Sequence, residues 1–270
     1  MTARQYLNPD LDEAALAARF AQAGRLHVPD ILAPDFAGEV AAAMAAAVPW
    51  TRAFTVKGQG YDIDLRAQAE TPADVLAAVE ASIAEGGRTG FQYDYERWRV
   101  SDEAEAGRRP SGDLTALGQV YDLLNSDVFL GLIARITGDA RAVYSDAQAT
   151  RYRAGHFLTT HDDDIAGKHR LFAYVLNLTP VWRPEWGGLL LFHDADGHVV
   201  EGFTPKFNAL NLFRVPQAHS VSQTAGFVTG ERLSVTGWIR SRTPGGRGAG
   251  RRKLIERGEE RLRPLTPPSD

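Results

Sequence analysis

Residues 141–240 contain eight short segments whose composition and length are typical of β-strands. They are rich in β-branched and aromatic residues, and Gly, Pro or Asp separates most of them from the next. The segments are AVYSDAQATRYR, HFLTTHD, RLFAYVLNL, GGLLLFHD, HVVEGF, NALNLFRV, HSVSQT and ERLSVTGWI. Eight strands in about a hundred residues, with almost no helical periodicity, predict a double-sheet roll or barrel.

The first 140 residues have a different pattern, in which helical segments alternate with a few short strands. Apolar residues recur at helical spacing, and acidic residues, Pro and Gly stand where helices would begin or end. We expect helices over 10–23, 34–48, 72–85 (closed by Gly86 and Gly87), 114–124 and 126–137, and strands over 25–32 and 51–58. We expect residues 90–99 to form a strand or a substrate-side loop, and residues 101–112 to be exposed or mobile.

The two patterns together predict a mainly β protein with supporting helices. Residues 141–241 would form a double-stranded β-helix core, the jelly-roll architecture that cupins also have. The helices of residues 1–140 would buttress one outer face of this core. Residues 242–270 are rich in Gly, Pro, Arg and Glu, so we expect a flexible charged tail.

The composition narrows the classes of function. The chain has no cysteine, which excludes disulfides, thiolate metal ligands and a cysteine nucleophile. A net charge of −4 gives no general attraction to nucleic acid or to an acidic membrane. No segment has the long apolar run of a membrane helix or of a secretion signal. We therefore expect a cytoplasmic protein without a membrane or nucleic-acid partner; contact of the Arg-rich tail with ribosome or RNA is the less favoured alternative.

His161 and Asp163 stand two positions apart at the end of an apolar strand segment. Alternate side chains of a strand point to the same face, so this pair would project together into one cavity. His219 is a natural third partner, because two imidazoles and one carboxylate with open positions form the ligand set of non-haem Fe(II) oxygenases. The alternative is that Asp163 closes a turn beside a hydrogen-bonded histidine.

Arg232 lies on a predicted strand whose alternate positions Arg232, Ser234 and Thr236 form a polar face. A guanidinium on an inward strand face, beside a hydroxyl, is suited to holding a small carboxylate with two hydrogen bonds. The alternative is a surface arginine on an edge strand. Given the metal ligands upstream, we favour the carboxylate clamp.

Other histidines and aromatic residues near these segments are not assigned to the metal. His156 and His161 are an odd number of residues apart, so a regular strand would turn them to opposite faces. His193 and His198 flank a turn, and we expect them at the surface. Four aromatic residues either pack under the barrel, which we favour, or line a peptide groove: Phe91, Tyr93, Tyr95 and Trp98.

The order of these residues resembles that of the 2-oxoglutarate- and Fe(II)-dependent oxygenases. The matching positions are Tyr152, Gly155, Phe157-Leu158, His161-x-Asp163, Gly187-Gly188, His219, Arg232-x-Ser234 and Gly237-Trp238. The chain is most similar to the prolyl hydroxylase branch, and within it to hydroxylases that modify a proline of a small-subunit ribosomal protein. Those enzymes share, in the same order, an HDD cluster, an aliphatic-Pro-x-Trp segment, a Gly-Gly pair and an Arg-Leu-Ser-x-x-Gly-Trp strand. The resemblance covers residues 140–240 well and the first 140 only loosely.

The resemblance implies that His161, Asp163 and His219 bind Fe(II), and that Arg232 pairs with the distal carboxylate of 2-oxoglutarate. Further contacts to this co-substrate are implied for Ser234, Tyr152 and Asn177. For Tyr152, a purely structural position on a core strand remains the alternative. The implied cofactors are Fe(II), 2-oxoglutarate and O₂, with ascorbate as an addition to the set.

The activity that the resemblance implies is hydroxylation of a C–H bond, above all in a prolyl residue of a protein or peptide, with succinate and CO₂ as co-products. The same chemistry on a free amino acid or small metabolite is the alternative. A cupin-like barrel that binds a metal or ligand without turnover is the third hypothesis. The ribosomal-protein hydroxylases carry a second, C-terminal barrel, which we expect to be absent because only residues 241–270 follow Arg240.

Overall fold

The computed structural model describes residues 3–46, 48–243 and 253–255. The α-helices are α1 (Glu13–Ala23), α2 (Pro34–Ala45), α3 (Leu65–Ala69), α4 (Ala73–Thr89), α5 (Val100–Glu105), α6 (Thr115–Leu124) and α7 (Asp127–Thr137). The strands are β1 (Arg25–Val28), β2 (Thr51–Val56), β3 (Gln59–Asp64), β4 (Tyr93–Trp98), β5 (Tyr144–Ser145), β6 (Gln148–Tyr152), β7 (Phe157–His161), β8 (Arg170–Asn177), β9 (Leu190–His193), β10 (Val199–Phe203), β11 (Ala209–Arg214), β12 (His219–Val221), β13 (Arg232–Arg240) and β14 (Lys253–Ile255). Most of the predicted tail, residues 244–252 and 256–270, lies outside the described residues, while β14 pairs with β3.

The described strands form one continuous sheet that rolls into a nearly closed barrel. Its main path is β1-β11-β8-β13-β6-β4-β7-β12-β9-β10, with β2 and β3 attached beside β4 and β5 attached to β13. The two ends of this path, β1 and β10, meet at an ion pair between Arg25 and Glu201. The predicted jelly-roll class is confirmed, and each of the eight strand-like segments contains at least one strand.

Helices α1, α2, α6 and α7 cover the outer face of the barrel wall that contains β8, β11 and β13. Side chains of these helices, such as Phe20 and Ile133, form the largest core cluster with outward residues of the strands, such as Leu176 and Val235. Burial of one such side chain stabilises the fold by roughly 1.5–3 kcal/mol. The predicted buttress of N-terminal helices is therefore present.

Strand β8 shows how the sequence divides its two faces. Phe172, Tyr174 and Leu176 belong to the helix-covered core, whereas the alternate residues Ala173 and Val175 belong to a smaller cluster inside the barrel. Both faces are apolar because both are buried, which explains why the segment RLFAYVLNL lacks the polar alternation of a surface strand.

Strand β4 comes from the N-terminal half of the chain, yet it lies between β6 and β7 in the barrel wall. Glu96 opposes Arg151 of β6, and Tyr93 opposes Leu158 of β7. Residues 90–99, for which we predicted a strand or a loop, therefore supply a wall strand. The first 140 residues contribute to the wall as well as to the helical layer.

Helix α4 runs through the two glycines that we predicted as its end, so that prediction was wrong. It continues to Thr89, and Gly90 forms the C-cap, with its N–H donating to the carbonyl of Gly86. A Cβ atom at Gly86 would lie 2.4 Å from Nε2 of Gln92, and one at Gly87 would lie 3.3 Å from the Phe157 ring. Both glycines therefore allow close packing inside the helix instead of ending it.

Residues 101–112, which we predicted to be exposed or mobile, are partly structured. Helix α5 occupies the first part, and Ser101 is buried. The Ser101 N–H donates to the carbonyl of Ala147, and the Ser101 hydroxyl accepts from the Ala147 N–H. This short helix is attached to the barrel wall. In the described part of the chain, no helix has the length and apolar character needed to cross a membrane.

Candidate metal and co-substrate site

Three of the predicted ligands converge at one end of the barrel. His161 is the last residue of β7 and His219 the first of β12, and the two strands pair so that these residues face each other. Asp163 follows two residues after β7. One ligand atom from each of the three residues lies within 4.8 Å of the other two, the spacing expected around one metal ion.

Both imidazoles are oriented by backbone carbonyl groups. The Nδ1 atom of His161 lies 3.0 Å from the carbonyl oxygen of Thr159, and the Nδ1 atom of His219 lies 2.8 Å from that of Gln217. A carbonyl only accepts, so each Nδ1 carries the proton and donates it. The lone pair is then on Nε2, which in both rings lies 3.5 Å from an Asp163 carboxylate oxygen. This tautomer is the one that a metal requires.

Asp163 reaches the site by a turn instead of by strand alternation. Its φ angle of 65° lies in the left-handed region, which Asp tolerates better than most residues. Nη1 of Arg170 donates to its backbone carbonyl at 2.9 Å and lies 3.5 Å from Oδ1. The Arg170 guanidinium stacks 3.6 Å from the Trp238 ring centroid, which fixes it in place. His161 and Asp163 therefore lie close together as predicted, but a turn at Asp163 brings them together and not the alternation of a strand.

The register of β7 against β12 slips between the His219–His161 and Val221–Leu158 pairs. This β-bulge adds one residue to β7 and changes which side chains share a face. Strand parity alone is therefore not a valid argument about His156 and His161. His156 is still not part of the ligand cluster, and its Nδ1 atom accepts from the Arg153 N–H at 3.1 Å.

His219 is buried among aromatic rings. Its ring lies 4.6 Å from that of Phe213 and 6.3 Å from that of Phe192, centroid to centroid. Burial, and then the neighbouring His161, lower the pKa of His219 to about 4. The imidazole is therefore neutral near pH 7, as a metal ligand must be.

Arg232 is buried at the start of β13, with 2% of its surface exposed. Its guanidinium lies 4.9 Å above the ring centroid of Tyr152. Burial lowers the pKa of Arg232, since desolvation disfavours the charged form. Its Nε has no hydrogen-bond partner over the residues that the structure describes. Among the described residues, no carboxylate forms an ion pair with it. Burying a charged arginine without an ion-pair partner costs free energy unless an anion binds there.

Thr224 lies beside this guanidinium, and sequence reasoning missed it. The residue is fully buried, and within the described residues its hydroxyl has no hydrogen-bond partner. A Cβ atom at Gly188 would lie 3.3 Å from Thr224 Oγ1 and 3.1 Å from Arg232 Cδ, so both side chains border the same small space. Gly188 has a φ angle of 63°, a conformation that glycine adopts without strain. No sequence signal marked Thr224, because it lies beyond the end of β12.

The other predicted co-substrate residues have different surroundings. Tyr152 is buried and stacks on Tyr95, with ring centroids 5.0 Å apart, so it is both a core residue and a neighbour of Arg232. The Ser234 hydroxyl is 2.7 Å from that of Thr150, which already provides it with a partner. Asn177 donates to the Ala209 carbonyl at 3.1 Å, while its buried side-chain oxygen has no partner in the described part of the chain.

The four aromatic residues in and just before β4 have three different environments. Tyr93 and Tyr95 are buried inside the barrel with Tyr152. Trp98 packs against the helix-covered core. Phe91 remains 52% exposed beside His161. His198 is exposed, as we expected for the turn after β9. His193, which we also expected at the surface, is half-buried, and its Nε2 lies 2.8 Å from the Ser220 hydroxyl.

Comparison with known sequences identifies the core. Residues 147–240 match the sequence model of the 2OG-Fe(II) oxygenase superfamily. Prolyl 3-hydroxylase OGFOD1 of Mus musculus is 28% identical over 153 residues, which are 54% of this chain and 26% of that protein. Prolyl 3-hydroxylase OGFOD1 of Xenopus laevis is 35% identical over 102 residues, 35% of this chain and 19% of that protein. The chain thus spans about a quarter or less of these relatives, and the predicted resemblance is confirmed.

A solved structure has a similar fold. The crystal structure of a Pseudomonas putida prolyl-4-hydroxylase superposes with a TM-score of 0.55 and 21% sequence identity, covering 86% of this chain and 100% of that chain. At this identity the likeness concerns the fold alone. The matched superfamily segment includes β6 to β13, and therefore contains His161, Asp163, His219 and Arg232.

Proposed function

We propose that this chain, whose residues 147–240 belong to the 2OG-Fe(II) oxygenase superfamily, is an enzyme that hydroxylates a C–H bond. It would consume 2-oxoglutarate and O₂ and release succinate and CO₂. The substrate that we propose is a prolyl residue in a protein or peptide, and the prolyl 3-hydroxylases among its relatives support this choice. We further propose a cytoplasmic location, which suits a chain without cysteine.

The residues fit Fe(II). Nε2 of His161, Nε2 of His219 and the carboxylate of Asp163 form a neutral–neutral–anionic set that leaves positions open for other ligands. When bound, Fe(II) supplies the O₂ and electron-transfer chemistry that no side chain provides. The protein's part is to hold both imidazoles as Nδ1–H tautomers and to keep the Asp163 backbone fixed through Arg170.

The buried, unpaired Arg232 is the observation that carries this proposal. A plain metal-binding barrel has no use for a desolvated guanidinium without an anion. A dicarboxylic co-substrate supplies that anion, and two N–H groups of the guanidinium match one carboxylate. Thr224, with its buried and unbonded hydroxyl beside the same space, supplies a further donor. Tyr152 supports the guanidinium from below through its ring face.

The surroundings of the site favour exclusion of water. Phe192 and Phe213 pack around His219, and Tyr95 covers Tyr152. Electrostatic interactions are stronger in such an apolar environment than in water, so the carboxylate of the co-substrate is held more firmly. Exclusion of water also protects reactive species from side reactions.

The first test uses the purified protein with Fe(II) and 2-oxoglutarate under anaerobic conditions. We expect a weak visible charge-transfer band, which His219→Ala abolishes because a ligand is lost. His198→Ala, a change at an exposed histidine outside the site, should leave the band intact. Absence of the band in the unchanged protein, together with no succinate after admission of O₂, contradicts the oxygenase assignment.

The second test concerns the substrate. Mass spectrometry of a proteome with and without the active enzyme should show a peptide that gains one oxygen atom on a proline. The His219→Ala protein serves as the inactive control. If only small molecules gain oxygen, the enzyme is an oxygenase of metabolites and the prolyl substrate is wrong.

A further inference from the structure

Four aromatic rings form a row from the protein surface to the interior of the barrel. Successive ring centroids are 5.7 Å apart from Phe91 to Tyr93, 5.6 Å from Tyr93 to Tyr95, and 5.0 Å from Tyr95 to Tyr152. We call these four residues the aromatic row. Its inner end lies under Arg232. Its outer end lies beside a candidate metal ligand, since the centroid of the Phe91 ring is 5.5 Å from that of the His161 ring.

Phe91 differs from the rest of the row because its ring is half outside the protein. It is 52% exposed, whereas Tyr93 is 3% exposed and Tyr95 8%. A single exposed apolar side chain is ordinary on a protein surface. Phe91 is unusual in its position, because a group that approaches the ligand His161 from this side meets its ring.

The backbone around Phe91 is firmly held. Gln92 is buried, its N–H donates to the Thr159 hydroxyl at 2.8 Å, and its side-chain amide donates to the carbonyl of Thr55 at 2.9 Å. The Thr159 N–H in turn donates to the Gln92 carbonyl at 2.9 Å. Thr159 also provides the carbonyl that orients His161. The exposed ring and the metal ligand therefore share one anchor, and their relative position is fixed.

We propose that Phe91 is a substrate-contacting residue that packs its ring face against the pyrrolidine ring of the prolyl residue presented to the metal. This inference rests on the proposed function and adds a specificity determinant to it. The face of an aromatic ring carries partial negative charge. The C–H groups of a proline ring, which lie next to an amide, are complementary to that face. The contact also removes apolar surface of both partners from water.

A preference for a ring over a small side chain follows from the same contact. A rigid aromatic ring offers more contact to a saturated five-membered ring than to a methyl group. A proline side chain should therefore be preferred over alanine before any chemistry takes place. Phe91 selects by shape and by C–H contact, while the inner residues Arg232 and Thr224 hold the co-substrate.

The test measures binding without turnover. The protein is loaded with Mn(II), which accepts the same nitrogen and oxygen ligands, and with 2-oxoglutarate. N-acetyl-L-proline methylamide and N-acetyl-L-alanine methylamide are added as probes, and the paramagnetic broadening of their side-chain proton signals is recorded by NMR. We expect stronger broadening of the proline probe, and a fall of about three- to tenfold in that broadening for Phe91→Ala.

Two further variants make the outcome specific. Phe91→Tyr keeps the ring and should keep the preference for the proline probe, whereas Phe91→Leu keeps apolar area without a ring and should lose most of it. Phe227→Ala removes another exposed ring, 72% exposed in the turn before β13, and should behave as the unchanged protein. Thermal melting of each variant establishes that it is folded.

The inference is overturned if Phe91→Ala and Phe91→Leu broaden the proline probe as the unchanged protein does, or if the alanine probe is broadened equally from the start. Succinate formation by the unchanged Fe(II) protein separates this failure from failure of the proposed function. Succinate with no proline preference leaves an oxygenase for which Phe91 has no selective role. Absence of both succinate and proline broadening removes the proposed function and the inference together.

Discussion

The Thr224 hydroxyl is buried beside Arg232 without a protein partner among the described residues, although a buried donor normally finds one. An unmade hydrogen bond of this kind costs about 1–3 kcal/mol, which a bound carboxylate would recover. The Ser234 hydroxyl, by contrast, lies 2.7 Å from that of Thr150, so it has a partner in the free protein. At this position, then, stability of the free protein and affinity for the co-substrate are opposed.

Thr224→Val tests this opposition, since valine has the shape of threonine without the hydroxyl. We expect the free energy of unfolding of the ligand-free protein to rise by about 1 kcal/mol, because the unpaired group is gone. We expect the affinity for 2-oxoglutarate to fall roughly tenfold or more, because a hydrogen bond to a charged group is lost. Urea unfolding and calorimetric titration of the Mn(II) protein measure the two quantities.

Thr71→Val is the matched control, since the Thr71 hydroxyl is buried but donates to the Ala67 carbonyl at 2.8 Å. This exchange should destabilise the protein by about 1 kcal/mol and leave the affinity for 2-oxoglutarate unchanged. If Thr224→Val behaves as Thr71→Val does, the hydroxyl of Thr224 is not a co-substrate donor.

At single positions, the sequence was informative where chemistry depends on residue type and close spacing. His161 and Asp163 are two residues apart, so their proximity was predictable even though the turn at Asp163 was not. The burial of Arg232 followed from its place on an inward strand face. Thr224 was out of reach, because its environment is made by residues far away in the chain. For Phe91 the sequence left two places open, under the barrel or along a peptide groove, and only the fold distinguishes them.

Helix α4 shows the same limit for a whole element. Its glycines favour a helix end by their local conformational freedom, and that is what we predicted. Inside the helix, Gly86 leaves room for the side chain of Gln92, whose Nε2 lies 2.4 Å from the place of the missing Cβ. That contact depends on Gln92 being hydrogen-bonded to Thr55 in a neighbouring strand, a long-range feature.

Gly86→Ala is therefore expected to destabilise the protein, although alanine is the better helix former. The added methyl group would lie 2.4 Å from Nε2 of Gln92, and displacing that amide lowers the free energy of unfolding by about 1–3 kcal/mol. Gly38→Ala in α2 is the control, because, apart from its chain neighbours and the backbone of its own helix, no atom of the described residues lies within 4 Å of its Cβ position. Gly38→Ala should raise the free energy of unfolding by about 0.5–1 kcal/mol.

Chemical denaturation of both variants decides the point. A stabilised Gly86→Ala protein shows that Gln92 has room to move, and that the glycine has no packing role.

The strands were easier to predict than this helix end, because the nine residues of a run such as RLFAYVLNL are enough to indicate a buried strand. The position of β4 between β6 and β7 was not predictable, since the residues of the segment 93–98 do not indicate with which strands it pairs.

Across the whole molecule, the N-terminal half and the barrel are joined by a buried ionic network. Glu96 of β4 is fully buried and pairs with Arg151 and Arg153. His156 lies beside this network, and burial lowers its pKa below the usual 6.5. The carboxylates of Asp94 and Glu96 act in the opposite direction, and the guanidinium groups of Arg52 and Arg153 act with burial.

This environment predicts a dependence of stability on pH. Well above pH 6.5 the ring of His156 is neutral in both folded and unfolded chains, so it contributes no pH dependence there. As the pH falls below that value, the unfolded chain takes up a proton that the folded chain resists, and stability is lost. His156 also accepts a hydrogen bond through Nδ1 from the Arg153 N–H, which protonation would break.

His156→Gln should therefore reduce the loss of stability on acidification by about 1 kcal/mol between roughly pH 7.5 and pH 5.5. Urea unfolding at the two pH values measures it in the unchanged protein and in the variant. His198→Gln, a change at an exposed turn, is the control. Equal losses in the unchanged protein and in His156→Gln would show that another group is responsible.

The meeting of β1 and β10 gives the barrel a seam. Within the described residues no backbone ladder joins these two strands, and side chains make the contact. Arg25 forms an ion pair with Glu201 and lies 4.9 Å above the Phe192 ring, and the rings of His27 and Phe203 are 5.5 Å apart. Glu201 is 40% exposed, so parting this pair costs only about 0–1 kcal/mol. Parting any other two neighbours along the wall breaks backbone hydrogen bonds. The circumference of the cavity is therefore set at one place by contacts between side chains alone, and it is there that the wall can widen at least cost.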